Sequence, residues 1–169
     1  MTNPMYANSA PVFKQMLGAM KSILEHAEAH ATAKKIEPRA LLDARLFPDM
    51  FPLIKQLQIA ADFSRGISAR LAGVDVPVFE SKEENFADLG LLLTQTLDFI
   101  EGLDAAQFLG SEAKEITLRP GTPKEKKLLG QAYLSNYGLP QFFFHVTTAY
   151  AILRHNGVDI GKRDYMGAY

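Results

Sequence analysis

The side chains with most chemistry to offer near neutral pH are four histidines, and their spacing sorts them. His145 stands in the stretch Gly138 to Tyr165, GLPQFFFHVTTAYAILRHNGVDIGKRDY, with Gln141 four residues before it. On a helix those two positions share a face, so imidazole and amide would present paired donors and acceptors to a small ligand. His145 lies beside the apolar stripe of its helix rather than in it. A hydrogen-bonded structural histidine and a ligand or acid/base group are both open readings. His26 and His30 have the same spacing, which can chelate a metal across one turn. No third ligand is identifiable, and Glu25 and Glu28 between and beside them describe a solvated helix flank. His155 falls in a last helical turn, where it partners the negative end of the dipole.

Arg45 and Asp49 either pair with one another or leave Asp49 to cap the helix that follows. Tyr150 and Phe142-Phe143-Phe144 read first as core and interface packing. No nucleophile elbow, phosphate loop, dinucleotide fingerprint or HExxH motif occurs. Cysteine is absent, which excludes disulfides, thiol nucleophiles and Cys-ligated zinc together.

The elements that must position these residues are helical. Around His145, Phe142, Val146, Ala149, Tyr150 and Leu153 recur at three- and four-residue spacing, and Pro140 suits a first turn. Asn156-Gly157 stops that helix, with Val158 placed for an apolar contact beyond the cap. A first helix is predicted from Asn8 or Ser9 to Ala33, burying Phe13, Met16, Leu17, Met20, Ile23, Leu24, Ala27 and Ala31. Lys34 to Ala44 is a connection with room for one helical turn. The prolines of Arg45 to Pro52 fit only before or within the start of a second helix, which runs to Leu71 and stops at Gly73. Met50, Leu53, Ile54, Leu57, Ala61 and Leu71 form its core stripe. Ile59, Phe63 and Ile67 form another strip on the far side, and a helix apolar on two sides is either centrally buried or part of a subunit interface. In a small bundle the interface is the expectation, and with it a homodimer.

Ser81-Lys-Glu-Glu84 resembles a capping box ahead of a third helix ending near Leu103, with Leu89, Leu92, Leu93, Thr96, Ile100 and Leu103 inward. Asp104 to Leu109 has room for a further turn. The segment EITLRPGTPKEKKLL places short β-type runs around a Pro-Gly-Thr-Pro turn, which points to a small β-hairpin over one end of the bundle. Gln131 to Tyr137 reads as a short helix leading into the last one. Four long amphipathic helices with varied connections describe an all-α four-helix bundle forming one domain across residues 1–169.

Composition narrows the function classes. The chain's 169 residues are 47% hydrophobic and 22% charged, ordinary for a domain with a core of its own. Its 18 basic and 19 acidic residues are interspersed, so no stripe favours nucleic acid or an anionic membrane. The longest apolar run, Phe142 to Leu153, is too short to span a bilayer. The start, MTNPMYANSA, has no basic or apolar leader pattern, so a cytoplasmic location is expected.

Helix count, order and closing motif resemble the DinB/YfiT-like superfamily of metalloenzyme-type bundles. The closer match, to a branch of that superfamily without an established activity, rests on particular stretches. These are Arg45-Leu-Phe-Pro-Asp-Met50 with Gln56 and Gln58, Arg70-Leu-Ala-Gly73, Pro140-Gln-Phe-Phe-Phe-His145, Leu153-Arg-His-Asn-Gly157 and Gly161-Lys-Arg-Asp164. The resemblance implies an up-down-down-up helix order. It also implies a divalent metal, zinc or nickel, held by one histidine on the second helix and an His-x3-His pair on the last. Counted from Leu153-Arg154, His145 falls on the second histidine of that pair, but Gln141 stands where the first should be. The second helix offers no histidine, only Asp49, Gln56 and Gln58 nearby. Glutamine amides are weak ligands for such metals, so the metal site reads as degenerate.

The sequence therefore leads to a dimeric bundle that keeps a small-molecule pocket, with His145, Gln141, Gln56, Asp49, Arg45 and Tyr150 as candidate lining. The alternatives are a metal-dependent transferase or hydrolase using His145, and a non-catalytic interaction protein using the Ile59, Phe63 and Ile67 strip.

Overall fold

Local sequence rules account for most element boundaries in the computed structural model, which describes residues 3–80 and 82–169. A single turn, α1 (Pro4–Ala7), is capped by Asn3, whose side-chain oxygen accepts from Met5 N–H at 3.1 Å. The long α2 (Ala10–Lys34) buries the expected stripe from Phe13 to Ala31. After the short α3 (Pro38–Leu42), α4 (Leu53–Ala72) ends at Gly73, held at φ 76°, where a left-handed residue terminates the helix without a Cβ clash. Next come α5 (Phe86–Glu101), a 3₁₀ turn (Ala105–Phe108), and the antiparallel pair β1 (Glu115–Leu118) and β2 (Lys126–Leu129). Helix then continues through α6 (Gly130–Ala132), a π turn (Tyr133–Gly138) and α7 (Leu139–His155), before the tail helix α8 (Lys162–Met166).

The four long helices close a ring: α4 packs between α5 and α7, and α2 completes it against both. This is the all-α, up-down-down-up four-helix bundle, with the small hairpin as its one β feature among the described residues. Phe13 of α2 meets Phe142 of α7 edge-to-face at 4.8 Å, and both are fully buried. Burying such a side chain stabilises the fold by about 1.5–3 kcal/mol. The stop after α7 forms as its sequence specifies. Gly157 N–H donates to Arg154 carbonyl at 3.2 Å and Val158 N–H to Leu153 carbonyl at 3.1 Å, with Val158 buried. The tail docks on α2 through Gln15, whose amide donates to Met166 carbonyl at 2.8 Å.

Four details depart from the sequence reading. The cap of α5 is Asn85, whose oxygen accepts Asp88 N–H at 2.8 Å, while the Asp88 carboxylate accepts Glu84 N–H at 2.9 Å. The box proposed at Ser81 begins at a residue outside those described, and the side-chain cap sits four residues later, with Asp88 reaching back to the residue before it. Met50 lies before α4, half-buried in the entry turn, because Pro52 disfavours helical geometry at Phe51 and itself takes the extended N-cap position ahead of Leu53. The last two predicted helices are one helical run. Leu139 N–H donates to Leu134 carbonyl, a π-type bond that carries the backbone into Pro140. Finally, Ile67 is fully buried inside the bundle and is not an interface residue. It lies so close to Gly138 that a Cβ there would stand 2.7 Å from Ile67 Cδ1.

The hairpin is fastened at Gly130, where a Cβ would fall 1.8 Å from Ser111 carbonyl oxygen. Gly130→Ala should therefore lower unfolding free energy by about 1–3 kcal/mol through overpacking. Gly90, inside α5 with open space around it, should instead gain about 0.5–1 kcal/mol on substitution by Ala. Urea denaturation of the two variants checks both signs.

Candidate functional site

The seam where α4 lies against the helical run 130–155 collects the polar and aromatic groups most suited to function. Tyr133, Tyr137, Gln141 and His145 recur at four-residue spacing on one side, and Gln56, Phe63 and Arg70 lie along α4 on the other. At one end, His145 Nδ1 is 2.7 Å from the amide oxygen of Gln56, a residue 89 positions away in the chain. Gln56 Nε2 in turn donates to Phe51 carbonyl at 3.0 Å. That second bond fixes the amide, because the flipped amide would turn its oxygen toward the Phe51 carbonyl oxygen. An amide oxygen only accepts, so Nδ1 carries the proton and Nε2 keeps the lone pair.

Both residues are buried, Gln56 at 1% and His145 at 7% exposure. Burial holds the His145 pKa below its ordinary value of 6.5, since the apolar surroundings disfavour imidazolium. Phe63 stacks on the imidazole at 6.0 Å with 17° between planes, and Phe144 meets it edge-on at 5.2 Å. Nε2 has no hydrogen-bond partner among the described residues. The result is a neutral imidazole of one tautomer, able to accept a hydrogen bond or a proton at Nε2.

These donors do not fit the three-histidine centre that the resemblance implies. His145 Nδ1 and both ends of the Gln56 amide are committed to one another and to backbone. Among the described residues, no group of three or more His, Cys, Asp or Glu side chains converges to hold an ion.

The other sequence candidates scatter. Gln141 is half-buried one turn before His145, and its amide has no partner among the described residues. Arg45 donates to Met50 carbonyl, bracing the entry turn. Asp49 is exposed there and does not cap α4, whose N-cap position is Pro52. Tyr150 belongs to the tail contact, edge-to-face with Tyr165 at 5.5 Å, and not to the His145 surroundings. Gln58 is held by Glu83 at 2.7 Å. His26 is exposed and His30 half-buried, and His155 is exposed in the last turn of α7. Ile59 and Phe63 keep some exposure; Ile67 keeps none.

The other end of the seam was missed from sequence. A cleft of about 190 Å³ opens between the hairpin and the helices, lined by Phe63, Arg70, Leu118, Arg119, Tyr133 and Tyr137. Phe63 thus faces His145 and the cleft together. The signal was present in the 133, 137, 141, 145 spacing, and was hidden by ending one helix at Tyr137 and starting another at Pro140.

Residues 5–166 match the family described as Domain of unknown function (DUF1993). A solved structure of a DinB family member from Shewanella denitrificans is similar with a TM-score of 0.91 and 37% identity. The match covers 97% of this chain and 92% of that one. No functionally curated protein matches the chain.

A histidine buried neutral gives the fold a pH dependence of known sign. Its folded pKa is depressed, so the unfolded chain takes up a proton more readily than the folded one. That contribution to stability is full above about pH 6.5 and is lost as pH falls through and below that value. Comparing wild type with His145→Gln by urea denaturation from pH 8 to pH 5 isolates the effect. The variant should show the shallower loss toward acid.

Proposed function

This chain belongs to the DUF1993 family of DinB-like helical bundles, and we propose that it binds a small organic molecule at the Gln56–His145 end of the α4–α7 seam. The observation that supports this is the bonding of His145: Nδ1–H is fixed on Gln56 and Nε2 is left as an unpartnered acceptor between two aromatic rings. A group of that kind recognises a hydrogen-bond donor, and the rings recognise a flat apolar body. Phe144, 55% exposed and edge-on to the imidazole, is the ring such a molecule would meet from solvent. The ligand class is therefore a planar molecule carrying one O–H or N–H. In this reading the protein is cytoplasmic, and no helix among the described residues is long and apolar enough to cross a membrane. Gln141, one turn earlier on the same helix face and without a side-chain partner among the described residues, adds a second polar contact.

Two measurements test the proposal. Phenol, but not toluene, should shift the His145 ring-nitrogen signals in NMR and raise the melting temperature, and His145→Leu should remove the effect. Elemental analysis of protein purified without chelator should find zinc and nickel far below one per chain. Near-stoichiometric metal that disappears in His145→Ala would replace this reading with the metal-dependent transferase or hydrolase.

Homodimerisation is a second reading, favoured by Phe144, 55% exposed against the same histidine, with Ile59 and Phe63 partly exposed on the facing helix α4. Apolar side chains left in solvent on neighbouring helices mark contact surfaces. Sedimentation velocity should then give a dimer that Phe144→Ser dissociates; a monomer at every concentration would leave the ligand as the only role for these rings.

A further inference from the structure

We propose that the cleft between the hairpin and the α4–α7 seam is a second binding site, for a small organic anion with a planar ring, of the aryl carboxylate class. The inference is independent of the His145 reading and rests on cations, rings and volume at the opposite end of the seam.

The cations are Arg70 and Arg119. Arg70 Nη1 donates to Gly66 carbonyl at 3.0 Å and to Tyr133 hydroxyl at 3.4 Å, while Nε and Nη2 have no partner among the described residues. No carboxylate pairs with it among the described residues. A guanidinium anchored through one nitrogen, with others free, is placed to take a carboxylate through a fork of N–H groups. Arg119 has neither an ion pair nor a side-chain hydrogen bond among the described residues. It sits at φ 49°, a conformation costly for a residue with a Cβ. The acidic side chains nearby are already engaged. Asp62, which also lines the cleft, pairs with Arg65, and Glu125 accepts Gly121 N–H at 2.7 Å. Lys124 and Lys126, around the adjoining concavity, add to the positive field.

The rings are Tyr133, Tyr137 and Phe63. The two tyrosines stack at 5.8 Å with 22° between planes, and Phe63 meets Tyr137 edge-on at 5.8 Å. Burial raises the Tyr133 pKa, so its hydroxyl stays neutral and adds no negative charge beside Arg70. The volume suits one ring: a cavity of about 150 Å³ accommodates benzene, and this cleft measures about 190 Å³.

Gly66 supplies a means of moving Arg70 alone. A Cβ at Gly66 would lie 2.6 Å from Arg70 Nη1, so Gly66→Ala displaces the guanidinium at its flexible end while leaving the helix intact.

The test is calorimetric titration of the full chain with benzoate, benzamide and inorganic phosphate. Benzoate should bind, and both Arg119→Gln and Gly66→Ala should weaken it about tenfold, the loss of one charge-assisted contact. Lys162→Gln, on the tail helix, and His145→Leu should leave benzoate affinity within about twofold of wild type, the latter separating this site from the phenol site. Benzamide and phosphate should each bind at least about tenfold more weakly than benzoate, because one lacks the charge and the other the ring. The proposal is overturned by absence of benzoate binding, by equal benzoate affinity in wild type and Arg119→Gln, or by phosphate or benzamide binding as well as benzoate.

Discussion

The seam between α4 and the last helical run depends on one close approach, Ile67 against the backbone of Gly138. An α-helix turns about 100° per residue, so residues four apart drift about 40° around it, and a stripe of four such residues slides off its partner. The π turn at Tyr133–Gly138 is wider than an α turn and offsets part of that drift where it begins. Tyr133, Tyr137, Gln141 and His145 can therefore all border α4. Gly138 lets the widened turn sit directly on Ile67, and Pro140, unable to donate an N–H, makes the wide turn the less costly path into α7. Lengthening that contact would separate the two helices, and with them the Gln56–His145 pair and the cleft.

Legibility in the sequence followed the range of the interaction. The Asn156-Gly157-Val158 stop was readable because all its partners lie within five residues. The inward faces of α2 and α5 were readable for the same reason: burial repeats with the helical period, as Phe13 to Ala31 and Leu89 to Ile100 do. Competing local signals misplaced the α5 cap, since Ser81 and Asn85 both precede an acidic residue by three positions and only packing decides between them. Ile67 was misread for a related reason. A helix apolar on two sides fits an interface or central burial equally well, and the deciding residue, Gly138, is 71 positions away. The Gln56–His145 bond spans 89 positions with no local pattern at either end. No reading of periodicity finds such a pair.

Glutamine opposite a buried histidine has a specific electrostatic consequence. A carboxylate at position 56 would also orient the imidazole, but its charge would stabilise imidazolium and raise the pKa toward and beyond neutrality. The neutral amide orients without charging. Burial then acts unopposed and lowers the pKa. The Phe51 carbonyl completes the arrangement by absorbing the amide N–H that would otherwise be buried without a partner.

The seam thus ends in two chemically opposite places joined by one ring. At the His145 end the groups are neutral and the free atom is an acceptor; at the hairpin end they are cationic and the free atoms are donors. Phe63 contributes one face to each, stacking on His145 and lining the cleft. The two ends are therefore separate in chemistry and adjoin at a single shared ring, Phe63.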